Sequence, residues 1–275
     1  MAAPVLTSSG PGGAPEVIRA EHLEISYAGK TVWRDATFSV RRGEFVAVIG
    51  PNGAGKTTLF RLLLGLVRPT AGTLRVFDRL PSRGDARIGY VPQRHTVDHE
   101  THVAADTLVG LGYSGARWGT GFARRADREA AAAALEAVGA SELGPKCLGT
   151  MSGGELQRVF LAEALVGNPS MLLLDEPLSN LDMRRSRELV EVVHGLVQSK
   201  KVTTLLVAHD INPLIQCLDK VIYVANGNVA TGSPETVLTP DSLTRLYGVP
   251  VEVLRDSRNH LVIVGGEDSH GGENG

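Results

Sequence analysis

Residues 45–57 read FVAVIGPNGAGKT, and the fold is read outward from them. Phe45 to Ile49 is a short, continuously apolar run rich in β-branched residues, which predicts a strand buried on both faces. Gly50–Thr57 matches the phosphate-loop pattern G-x-x-x-x-G-K-[ST] in full. KTTLFRLLLGL, from Lys56, predicts a helix that stops near Pro69. The glycines Gly50, Gly53 and Gly55 permit a tight loop whose backbone N–H groups point inward at phosphate oxygens. The helix start adds the positive end of its dipole. Lys56 supplies a point charge for the β- and γ-phosphates, and the Thr57 hydroxyl can ligate Mg²⁺. Pro51, Asn52, Ala54 and Thr58 complete the candidate nucleotide-binding stretch. A chance glycine-rich turn is the bland alternative, and the flanking strand and helix weigh against it.

The same pattern continues along the chain. Met171–Leu174 (MLLL) and Thr203–Ala208 (TTLLVA) read as further buried strands, and Arg184–Gln198 as a helix. Strands alternating with helices imply parallel βαβ units. Val17–Val40 reads instead as short alternating strands turning at Ala28-Gly29, and Val221–Ala230 carries the hairpin signal Asn226-Gly227. Both predict antiparallel additions at the edges. Between Pro92 and Leu161 the strands vanish, while Ala123–Val138 is a strong helix former with Gly139 placed to cap its end. Residues 94–160 are expected to form an inserted helical subdomain. Residues 1–15, and the chain from about 265, are too poor in apolar groups to bury a core and are expected to be disordered.

Composition narrows the function classes. The chain has 275 residues and a net charge of −2, which leaves no basic footprint for nucleic acid. Its two cysteines, Cys147 and Cys217, cannot make a disulfide framework and suit a reducing compartment. Both read as small core or helix residues. The best apolar run, Leu59–Val67, is interrupted by Arg61 and too short to cross a bilayer. The first residues lack the basic and apolar regions of a signal peptide.

MLLLDE, at 171–176, puts two carboxylates at the end of a buried strand, where parallel sheets bind ligands. Alternation predicts that they point apart. Asp175 can face Mg²⁺, and Glu176 an attacking water as general base.

The motif MSGGELQRVFLAEAL, from Met151, resembles the signature sequence of the ATP-binding-cassette (ABC) ATPases. The resemblance covers about residues 17–250, with the motifs in the family's order. It implies a P-loop NTPase (RecA-like) α/β core with an antiparallel β edge subdomain and an inserted helical subdomain. One ATPase domain then spans 16–250, followed by a C-terminal extension, 251–275. Tyr27 stands where the family stacks a ring on adenine. Gln93, in VPQR, looks like the family's Q-loop, sensing Mg²⁺ and the attacking water. Ser179-Asn180-Leu181-Asp182 looks like the D-loop, and His209 like the switch histidine. The resemblance implies Lys56, Gln93, Glu176 and His209 as catalytic residues, ATP and Mg²⁺ as cofactors, and Thr57, Gln93 and Asp175 as metal-facing groups. Ser152, Gly153, Gly154 and Glu155 would bind ATP held by a second ATPase subunit, so two chains meet head-to-tail.

The signature departs from the family's usual form at Met151, where Leu is common, and at Glu155, where Gln is. A carboxylate beside a γ-phosphate is unfavourable unless it points away. One cassette without a membrane span is similar to the ATPase subunit of a bacterial transporter. GYVPQRHTVDHETHVAADTLVGLGYSGARWG, from Gly89, with its PQR…VD block and later LG-aromatic pattern, and the stretch from Ser233 are similar to zinc/manganese and metal-chelate importer subunits. That implies permease subunits, a solute-binding protein and a peripheral place on the inner face of the cell membrane. A non-transport ABC ATPase acting as a regulator or assembly factor is the alternative. The segment Arg94–Ala105 is the expected permease-docking surface. Its His95, His99 and His102, with Asp98 and Glu100, would share one face if helical, which raises a metal site as a second reading.

Overall fold

The structure, a computed structural model, describes residues 14–27, 30–93, 97–114, 125–179, 181–247, 249–256 and 261–264. In chain order, β1 (Glu16–Tyr27), β2 (Lys30–Arg41) and β3 (Phe45–Ile49) lead into helix α1 (Lys56–Leu63). Strands β4 (Ala71–Val76) and β5 (Ile88–Val91) precede α2 (Ala105–Ser114), α3 (Arg125–Ala137) and α4 (Gly153–Leu165). Next come β6 (Met171–Asp175), α5 (Met183–Lys200), β7 (Thr203–Val207), β8 (Lys220–Ala225) and β9 (Asn228–Gly232). Short helices α6 (Pro234–Val237) and α7 (Pro240–Tyr247) and the strands β10 (Glu252–Arg255) and β11 (Leu261–Val264) close the described chain.

The central sheet runs β5-β6-β7-β3-β8-β9, parallel except for the last pair. Every residue of β3, β6 and β7 is buried. Their alternate side chains feed two different cores. Phe45, Ala47, Ile49, Leu172, Leu174 and Leu206 join α4, α5 and the helical layer on one face. Val46, Val48, Met171, Leu173, Leu205 and Val207 face α1 and the small sheet on the other. Continuous apolar strands are what a sheet covered on both faces requires.

The small sheet is antiparallel, in order β2-β1-β4. Instead of several short strands, residues 17–40 form two 12-residue strands. Register shifts between Ala20 and Ile25, with His22 and Asp35 at positive φ, break the simple alternation. The third strand, β4, carries only two buried residues in six, Leu74 and Val76.

The three helices α2, α3 and α4 pack on one another between β5 and β6, and α4 runs five residues past 160. Gly139 (φ 63°) donates to Glu136 O, and Ala140 to Leu135 O, a full Schellman ending for α3. Asn226 (φ 50°) and Gly227 (φ 78°) make the two-residue turn between β8 and β9. Beyond 250, the described residues form the antiparallel pair β10–β11, whose Ile263 and the preceding Val251 enter the larger core. Asn212 holds this pair, accepting from Ile263 N–H (3.1 Å) and donating to Ile263 O (3.4 Å).

Candidate functional site

The loop 50–55 joins β3 to α1 at the C-terminal edge of the parallel sheet. It is pinned from the side by the small sheet. Trp33, fully buried on β2, donates its indole N–H to Ala54 O at 2.9 Å. Gly55 sits at φ 102°, and a Cβ there would lie 2.5 Å from Val32 Cγ1 and 2.7 Å from Trp33 Nε1. Only glycine fits this turn against the tryptophan. Lys56 is buried, and its Nζ donates to Gly50 O (2.7 Å) and Pro51 O (3.1 Å). Burial pulls the ammonium pKa down, while the Glu176 and Asp175 carboxylates act in the opposite direction. Tyr27 closes β1, and its side chain lies outside the described residues.

Asp175, the last residue of β6, is 2 % exposed. Burial, then the charge of Glu176, raises its pKa, and the Thr57 hydroxyl donating to it acts the other way. One of its oxygens, Oδ1, has no hydrogen-bond partner. A buried carboxylate oxygen left unpaired is costly, and a cation answers it. Asp175 with Thr57 therefore fits a hard divalent ion such as Mg²⁺.

Glu176 departs from simple strand alternation. Its φ of 52° is left-handed, a conformation that a non-glycine residue holds only when its surroundings enforce it. Its N–H donates to Val207 O (3.2 Å). Its Oε1 lies 2.8 Å from His209 Nε2, and its Oε2 accepts from the Gln93 amide. Gln93, Glu176 and His209 follow β5, β6 and β7, three neighbouring strands of one sheet. The order β5-β6-β7-β3 then sets this triplet beside the loop that follows β3. A carboxylate held between an imidazole and an amide can accept a proton in a fixed direction.

Ser152 to Glu155 open elsewhere. Ser152, Gly154 and Glu155 line a cavity of about 310 Å³ between α4 and α5. Glu176 and His209, with Ser179, line another of about 330 Å³. Leu181 is shared by both linings. Neither lining includes a residue of the phosphate loop. Ser152 is the N-cap of α4, and its Oγ accepts from Glu155 N–H at 3.4 Å. Glu155 returns the contact, with Oε2 accepting from Ser152 N–H at 2.7 Å. The carboxylate thus turns back onto its own helix start, where the dipole favours it. Asp182 caps α5 in the same way, accepting from Arg185 N–H at 2.9 Å. Asn180 lies outside the described residues.

Residues 97–104 are not helical, so His99 and His102 do not share a helix face. The chain there pairs with the stretch that precedes the signature. Ala105 and Asp106 N–H donate to Lys146 O and Gly144 O, Leu148 N–H to Val103 O, and Gly149 N–H to Thr101 O. Extended pairing takes up the backbone that a helix would have used internally. No group of three metal-ligating side chains occurs among the described residues, and Arg94, His95 and Thr96 lie outside them. Cys147 and Cys217 are both half-buried. The sequence reading missed Trp33 and Lys146, since each acts on a residue brought near by folding. No described helix is long and apolar enough to cross a membrane.

Residues 33–179 match the family described as "ABC transporter". The zinc import ATP-binding protein ZnuC of Pseudomonas syringae is 34% identical over 244 residues, covering 89% of this chain and 87% of that protein. The manganese transport system ATP-binding protein MntB of Bacillus subtilis is 33% identical, covering 87% of this chain and 95% of its own. A chain from a structure described as a metal-chelate type ABC transporter, in an inward-facing conformation, superposes with a TM-score of 0.79 at 25% identity. It covers 91% of this chain and 98% of its own length. With the phosphate loop, the strand-end carboxylates and the capped signature helix in place, this chain belongs to the ATP-binding subunits of the ABC transporters.

Proposed function

We propose that the chain binds Mg²⁺ and ATP at residues 50–58 and powers import of a metal ion or metal chelate. Thr57 and Asp175, with Gln93 close by, hold the Mg²⁺, which offsets charge on the phosphates. Lys56 leaves the carbonyls of Gly50 and Pro51 to meet the β- and γ-phosphates. Tyr27 stacks on the adenine. Glu176 accepts the proton of the attacking water, with His209 and Gln93 fixing its carboxylate. The observation that carries this reading is that carboxylate, spanned by two partners at the ends of neighbouring strands beside the loop.

The placement of Ser152 in a cavity apart from Glu176 supports a two-chain site. A second copy, head-to-tail, offers the α4 N-terminus to the γ-phosphate. The segment Arg94–Ala105 docks a permease subunit at the inner face of the membrane, in a system completed by a solute-binding protein. The metal assignment follows the zinc, manganese and metal-chelate relatives.

Uptake of labelled zinc, manganese and chelated iron is measured in cells lacking the gene, complemented with wild type, Lys56→Ala or Glu176→Gln. Wild type restores uptake of one of them, and both variants fail. In the purified subunit, both variants lose ATP hydrolysis by roughly 100-fold or more. Retained hydrolysis in either variant overturns the site. Uptake of all three metals at wild-type level without the gene overturns the cargo.

A further inference from the structure

The signature of this chain carries a carboxylate at the mouth of an anion site, and the structure supplies its counter-charge. Lys146 lies nine residues before Glu155, in the turn leading to the signature, and its Nζ stands 2.8 Å from Glu155 Oε1. Both side chains are only about a third exposed, at 36% and 31%. The other oxygen of Glu155 holds Ser152 N–H, and Glu155 N–H holds Ser152 Oγ. The hydroxyl oxygen of Ser152 is thereby engaged as an acceptor, which leaves its proton to be donated outward. The backbone of Lys146 is fixed too, its N–H donating to Leu143 O and its carbonyl accepting from Ala105 N–H. The backbone that carries the cation is therefore held in place.

We propose that Lys146 is a positioning residue for ATP bound across two subunits, cancelling the Glu155 carboxylate and locking it in the cap so that Ser152 and the α4 amides face the γ-phosphate. Without Lys146, the same carboxylate adds a negative charge beside an incoming anion and is free to leave the cap. Neutralising Glu155 removes the need for the lysine. A packing role for the lysine stem makes the opposite forecast, because it does not depend on the charge at 155. The inference rests on the two-chain reading above.

The test is ATP-driven dimerisation, followed by light scattering in a Glu176→Gln background with Mg²⁺. Adding Lys146→Met raises the ATP concentration at half-dimerisation by roughly 3- to 10-fold. Adding Glu155→Gln to that variant recovers most of the loss, and Lys146→Arg keeps the parent's value. If Lys146→Met dimerises like the parent, or if Glu155→Gln fails to rescue it, the inference is overturned. If the Glu176→Gln parent itself stays monomeric with ATP while still binding it, the two-chain reading falls, and the inference with it. Lys146→Arg keeps the test decisive should the methionine variant fail to fold: a several-fold loss in the arginine variant also overturns the inference.

Discussion

Glu155 shows how one residue serves two neighbours with opposite electrical demands. Its pKa is held down to about 2, first by the Lys146 hydrogen bond and then by the backbone of Ser152. A carboxylate whose pKa is lower folded than unfolded adds stability above its unfolded value, and that stability is lost as pH falls through the folded value. The window therefore runs from about 4.5 down to about 2. Glu155→Gln keeps the shape of the cap but removes the charge, at a cost of about 1 kcal/mol at neutral pH. In a domain of this size that lowers the melting midpoint by roughly 2–4 °C. Melts of wild type and variant at pH 7, 4 and 2.5 should show the gap shrinking with pH. A gap that stays constant would show that the charge contributes nothing. Glu176 meets a different demand. It holds a left-handed backbone while its carboxylate reaches both His209 and Gln93, so a small rearrangement of any of three strand ends redirects it.

Between elements, the signature helix approaches strand β5 closely. Gly89 is the second residue of β5, and a Cβ there would lie 2.2 Å from Ala164 O on α4 and 2.8 Å from Leu172 Cδ2 on β6. The missing side chain lets α4 lie against the strand that ends next to Gln93. Gly89→Ala must push the helix or the strand aside, which costs about 1–3 kcal/mol and lowers the melting midpoint by roughly 3–10 °C. Thermal unfolding checks this, and an unchanged midpoint would mean that the contact relaxes freely. This contact was invisible in sequence, where Gly89 reads as one glycine among many. The strands β3, β6 and β7 were legible because each is buried on both faces and so is apolar throughout. Strand β4 exposes four of its six residues, and β5 is short, so neither carries that signal. The nucleotide motifs were legible because their residues are contiguous. Trp33 against Ala54 and Lys146 against Glu155 become neighbours only through the fold.

Across the whole molecule, chemistry and surface are joined by the paired segments before the signature. Residues 101–106 hydrogen-bond to 144–149, and the chain then runs through Thr150 to Met151 and Ser152. Backbone pairing thus ties the first segment to the stretch that leads into the signature. Asp98 and Glu100 sit at the outer turn of that segment, both exposed. Asp98 also serves the turn itself, its Oδ1 accepting from Glu100 N–H at 3.2 Å and its carbonyl from Thr101 N–H. The Glu100 side chain is therefore the cleaner probe of a partner. Glu100→Lys reverses an exposed charge that none of the triplet's hydrogen bonds uses, and a surface substitution of this kind changes stability by less than about 0.5 kcal/mol. If the segment docks a permease, the variant should cut metal uptake in cells several-fold, since a like charge set opposite a partner charge is repelled. ATP hydrolysis by the purified subunit should stay within about twofold of wild type, because rim charges act on association and not on chemistry. Hydrolysis lost in the isolated subunit would place the segment within the catalytic site. Uptake at the wild-type level would move the docking surface elsewhere, and the exposed side of the β10–β11 pair, with Leu254 and Val264, would be the next face to alter.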